Sequence, residues 1–183
     1  MPLTKENSPT AEKIPALAAV NLRWLNQALS LVDRLDASAY ADSPAGLYQH
    51  KAGAHLRHII DFYDAFFQGL KQGRIDYSAR RRDAQTEKDR HFAMARLERL
   101  AELFRTMRLP DGPVLVRVED ADLGTNPDCW MPSSVARELQ VLSSHTIHHF
   151  ALIAVTLQAH GVTMEPSFGM APSTLRHAKG RAA

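Results

Sequence analysis

Over much of the chain apolar residues recur at three- and four-residue steps, the period of helices that bury one face. From Ala11 to about Asp36 the stripe is Ile14, Leu17, Ala18, Leu25, Ala28, Leu29, Val32 and Leu35. Pro15 falls in the first turn, where its missing N–H is tolerated. Ala37 to Gly46 contains Asp42, Ser43, Pro44 and Gly46, a loop composition. A second helix is predicted from about Leu47 to Leu70. A loop around Gly73 and Asp76 leads into the charged stretch Arg80 to Arg90, and a third helix is predicted from about Ala84 to Met107, with Met94, Leu97, Leu100, Ala101 and Phe104 on one stripe. Pro110, Gly112 and Pro113 stop it. Val114, Val116 and Val118 then alternate with Leu115, Arg117 and Glu119, the period of a half-exposed strand. Gly124, Asn126 and Pro127 predict a turn, with Cys129–Trp130–Met131 as the returning strand. A fourth helix is predicted from about Ser134 to His160, with serine as N-cap and Gly161 as the residue that ends it. These elements predict an all-α fold, an antiparallel four-helix bundle with a small β-hairpin between its third and fourth helices. It would form a single domain over 11–176, between flexible tails at 1–10 and 177–183. The segment after Gly161 reads as loop.

Composition narrows the class. The 183 residues fit one domain with an unaided core. The 22 Lys+Arg against 20 Asp+Glu leave +2, too little for a broad field toward nucleic acid or a membrane surface. The lone cysteine, Cys129, excludes an intramolecular disulfide and any multi-cysteine metal site. The first residues hold no apolar signal-peptide core, and the longest nearly apolar run, Phe150 to Val155, is too short to span a bilayer. The expected location is cytoplasmic.

Nine histidines change the picture. With His145 at zero on a helical wheel, Glu138 falls at about +20°, Leu142 at +60°, His149 at +40° and Leu152 at −20°. His145 and His149 therefore share the face that points inward. His148 falls about 60° to the side. With His58 at zero, Phe62 falls at about +40° and His55 at +60°, so His58 sits on an apolar stripe. A histidine pair spaced i,i+4 offers two imidazole nitrogens to one ion. A third from the second helix would leave a coordination position open, as catalytic sites do. The plain alternative is that these are hydrogen-bonded core residues. HExxH is absent, and no glutamate precedes a histidine by three residues, which argues against a dinuclear carboxylate site.

The segments GAHLRHIID and RELQVLSSHTIHHFALI, with IDYSARRRD before the third helix and FGMAPSTLR near the end, resemble the DinB/YfiT-like family of metalloenzymes. The resemblance implies a four-helix bundle holding a divalent metal, often nickel or zinc, on three histidines. Residue by residue, the ligands it implies are His58, His145 and His149; iron and manganese are the remaining options. It also implies kinship with thiol-dependent transferases and isomerases, and with the bundle domain of sulfoxide synthases. The function expected is a metal-dependent enzyme, a thiol-dependent transferase or hydrolase, acting on a small molecule and working as a homodimer. The alternative is a non-catalytic metal-binding, ligand-binding or stress-associated protein.

Other residues carry two readings each. Asp61 and His55 lie one turn from His58, as hydrogen-bond partners for it or as bystanders. Glu138, on a buried face, needs a partner. It is either a general base or half of a pair with Arg57, Arg80 or Arg82. His148 is the other candidate proton carrier. Phe62 and Phe66 would shield the site. Tyr77 and Arg80 to Arg82 line a cleft for an anionic substrate or merely form a solvated connection. Cys129, Ser143 and Ser144 read as packing residues, and His50, His91, His160 and His177 as solvated.

Overall fold

The computed structural model describes residues 13–46, 50–117 and 129–181. Its elements, in chain order, are α1 (Lys13–Arg34), α2 (Ala37–Ala41), α3 (Ala52–Leu70), β1 (Arg74–Ile75), α4 (Ala84–Lys88), α5 (Arg90–Thr106), β2 (Pro113–Arg117), β3 (Trp130–Ser134), α6 (Val135–Ala159) and α7 (Pro172–Arg181). The tail at 1–10, residues 47–49 and the turn expected at Gly124, Asn126 and Pro127 lie outside the described residues.

This architecture overturns the expected all-α four-helix bundle. The described residues form seven helices and a three-stranded mixed sheet, ordered β1-β2-β3. The hairpin is there, with Val114 opposite Ser133 and Val116 opposite Met131. What the period missed is β1, which pairs parallel to β2 through Arg74 and Ile75. Two residues are too few to show an alternation, yet Ile75 is fully buried. Gly69 lets this strand cross α3 closely: a Cβ there would lie 2.5 Å from the Arg74 carbonyl oxygen.

The expected third helix is two helices. Asp89 adopts extended backbone, and its carboxylate accepts from the N–H groups of His91 and Phe92, which starts α5 afresh. Asp36 and Asp83 cap α2 and α4 in the same way. Ser134 caps α6 by accepting from Arg137 N–H at 3.2 Å, and Gly161 follows its end at φ +77°. The segment 172–181, expected as loop and flexible tail, is helical.

The core lies between α1, α3, α5 and α6. Leu25, Leu56, Ile60, Leu97, Leu139 and Phe150 are all fully buried in it. A small polar network ties three helices together inside. The Tyr63 hydroxyl donates to Asn21 Oδ1 at 2.8 Å, Asn21 Nδ2 donates to the Leu139 carbonyl at 3.0 Å, and Thr146 Oγ1 lies 3.2 Å from the Tyr63 hydroxyl. Each buried polar atom is thereby matched, which fixes how α6 sits against α1 and α3. Trp24 Nε1 donates to Ser143 Oγ at 2.8 Å, so Ser143 does more than pack. Among the described residues no helix is long and apolar enough to cross a membrane.

Candidate metal centre

The centre is built from two long helices. α3 supplies His55 and His58 one turn apart, and α6 supplies His145, His148 and His149. Because α3 and α6 pack side by side, the inward histidines of both meet. One ring nitrogen each of His58, His145 and His149 lies within 4.8 Å of the others. The ring centroids of His58 are 4.9 Å from His145 and 4.6 Å from His149, and those of His145 and His149 are 4.5 Å apart. All three rings are half-buried.

Burial governs their charge. Burial first, then the guanidiniums of Arg80 and Arg57, pulls the imidazole of His58 down to about 4. Burial and then His58, His148 and Arg80 bring His145 to about 3, and burial with the neighbouring imidazoles does the same for His149. At neutral pH the three rings are neutral and each keeps a lone pair. That is the state a divalent ion requires of imidazole ligands. The donor set, three nitrogens without a carboxylate, suits zinc, nickel or iron(II).

Aromatic rings wall the site. Phe62 stacks on His145 with centroids 3.8 Å apart and meets His58 edge-on at 4.8 Å. Tyr77 stacks on Phe62 at 4.9 Å, and the Arg80 guanidinium lies 4.7 Å from the same ring. Phe66, expected beside it, instead packs in the core against Phe67.

The expected supporting residues fall differently from the reading of the chain. Asp61 is 2% exposed and ion-paired, to Arg96 at 3.1 Å and to Arg57 at 3.7 Å, so arginines take its charge. His55 lies beside His149, with Nδ1 3.1 Å from Nδ1 of that ring. Among the described residues Glu138 is held by two hydroxyls: Tyr77 donates to Oε2 at 2.9 Å and Ser133 donates to Oε1 at 2.5 Å. Burial and then the Glu138 charge push the Tyr77 phenol well above its ordinary range. Both carboxylate oxygens of Glu138 are thus taken by hydroxyls. His148 is exposed at the rim, its ring 5.3 Å from that of His149. His50, read as solvated, is exposed but stacks on His55 at 5.9 Å. Ser133 and the tie from Tyr77 to Glu138 went unread; the signal for them was a carboxylate on an apolar face, which obliges a donor nearby.

Other hollows lie elsewhere. A charged cleft of about 360 Å³ runs between α3, α5 and the β1–α4 loop, and an apolar groove of about 760 Å³ lies between α1 and the end of α5. Neither is lined by a histidine.

No family model matches the chain, and no solved structure matches it. A curated protein of Rhizopus delemar named FK506-binding protein 5 is 31% identical over 106 residues, which cover 57% of this chain. The chain spans 28% of that protein's length.

Proposed function

We propose that the chain is a metal-dependent enzyme that acts on a small molecule through one divalent ion on His58, His145 and His149. The observation that carries this reading is the convergence of three neutral, half-buried imidazoles from two helices, with no carboxylate among them. The resemblance to the DinB/YfiT-like family, drawn from the histidine spacing, agrees with it. Zinc or nickel fits the nitrogen set best, with iron or manganese behind them. An ion held by neutral ligands keeps its full charge and would supply Lewis acidity, making a bound water or thiol acidic near neutral pH.

The chain's own residues then have distinct tasks. Phe62 excludes water from the inner side of His145 and His58, which strengthens the electrostatics there. His148, exposed beside His149, takes the proton that the nucleophile releases. Glu138 serves through Tyr77, holding that ring on Phe62. Arg80 and Arg82 bring positive charge near His58, and the substrate class that fits is an anion bearing a carboxylate or phosphate. The reaction that fits is a thiol-dependent transfer or a hydrolysis. A cytoplasmic, homodimeric protein is part of the same reading; Val155 on α6, 58% exposed, is apolar surface that a second copy would cover.

The first test is metal analysis of protein purified without an affinity tag. The second is a screen of thiols with activated electrophiles, using loaded protein, chelated protein and His149→Ala. Turnover is expected only in the loaded protein, and turnover that survives chelation excludes the reading. One observation favours the alternative of a non-catalytic binding protein: both Glu138 oxygens are already engaged. No turnover with full metal occupancy would put that alternative ahead. Light scattering that returns a 20.4 kDa species would reject the dimer.

A further inference from the structure

The contact between His55 and His149 joins Nδ1 to Nδ1 at 3.1 Å. Taken as neutral rings, the state in which an imidazole can hold an ion, two imidazoles facing each other through Nδ1 share one proton in that contact. Only two arrangements exist. If His55 donates, the proton of His149 must sit on its Nε2, and His149 has no lone pair left for an ion. If His149 donates, its Nε2 lone pair is free, and the proton of His55 sits on the far nitrogen, Nε2. That far nitrogen is shut away from solvent and has no partner among the described residues.

We propose that His55 is a positioning residue for the metal centre: its Nδ1 accepts the Nδ1–H of His149 and so fixes His149 as an Nε2 ligand. The inference rests on the metal reading above and deepens it. Metal-bound imidazoles ordinarily donate their other N–H to a carboxylate, a backbone carbonyl or water. Here the acceptor is another imidazole, on the helix that also carries His58. Loading with metal therefore selects one of two proton arrangements in the pair. His50 stacks on His55 with ring centroids 5.9 Å apart. Sequence spacing hid this role, because His55 sits one turn from His58 and pairs across the helix interface instead.

The test uses the full chain, with zinc alone as the probe. Zinc affinity is measured by chelator competition for wild type, His55→Leu, His55→Gln and His149→Ala. Loss of the acceptor in His55→Leu should weaken zinc by roughly 10- to 100-fold. His55→Gln, whose side-chain carbonyl can accept the same proton, should recover most of it. Long-range proton–nitrogen NMR of the zinc-loaded wild type should show His149 protonated at Nδ1 and ligating through Nε2. A proton on His149 Nε2, or equal zinc affinity in His55→Leu and wild type, overturns the inference while leaving the three-histidine site standing. If wild type takes up no zinc, the site itself fails and this inference with it. The wild-type spectrum decides the matter even if His55→Leu does not fold.

Discussion

The two sides of α3 carry buried polar groups in opposite ways. One side bears Arg57, Asp61 and Asp64, and Arg96 from α5 reaches across to both carboxylates, at 3.1 Å to Asp61 and 2.5 Å to Asp64. Roughly 120° around the same helix, His55, His58 and Phe62 face α6. On the first side every charge meets its opposite, and Arg96 also donates to Thr86 Oγ1 at 2.6 Å. On the second side burial removes charge altogether, and lone pairs converge with nothing of opposite sign between them. A paired cluster is complete in itself and serves stability. A convergent cluster of one donor type, with its charge removed by burial, is the kind of arrangement that accompanies functional sites.

That contrast can be broken by mutation, and the largest effect is expected on the histidine side. His145→Ala/His149→Ala should take zinc from one per chain to near zero by elemental analysis, with an unchanged far-ultraviolet circular dichroism spectrum. Full occupancy in the double variant would remove the assignment. On the other side, Arg96→Ala strands Asp64 and leaves Asp61 with Arg57 alone at 3.7 Å, and should cost about 3 kcal/mol in urea unfolding. The low end of the range for buried pairs applies, because Arg96 and Asp64 keep 15% and 19% of their side-chain surface. Zinc affinity should barely change in that variant; a parallel loss would show that the two sides are not independent. Zinc at a hundredfold excess over its Kd should stabilise the wild type by about 2.7 kcal/mol. For a domain of this size that is a rise of roughly 5–10 °C in Tm, absent from the double variant. The smallest effect is expected at the boundary. Phe62→Leu removes the stack on His145 and should cost about 1 kcal/mol, with zinc still bound.

Much of the helical content was legible along the chain, for a plain reason. α1, α5 and α6 bury one continuous stripe each, so their spacing shows; α6 was expected over 134–160 and runs Val135–Ala159. The four-helix architecture was not right. β1 is two residues long and α2 and α4 are five each, below the length at which any period can be seen. The break at Asp89 depends on a side chain reaching its own backbone, which competes locally with the helix. At the site, His58, His145 and His149 were legible because a wheel places each on an inward face. The pairings across helices were not. Whether His55 meets His58 or His149, and whether Glu138 meets arginine or hydroxyl, depends on how α3, α6 and the sheet dock. No single helix contains that information.

The three nitrogens belong to positions 58, 145 and 149, and the whole sheet and α5 are strung between the first and the other two. During synthesis a chain that has not yet emitted α6 holds one of three ligands and can grip an ion no better than any lone histidine. An ion held there would therefore be acquired late, only by a chain whose last long helix has already docked. It would act as a clasp closed after assembly, not as a seed around which the protein gathers. Apo protein should accordingly accumulate fully folded whenever the ion is scarce, ready to be charged later without refolding.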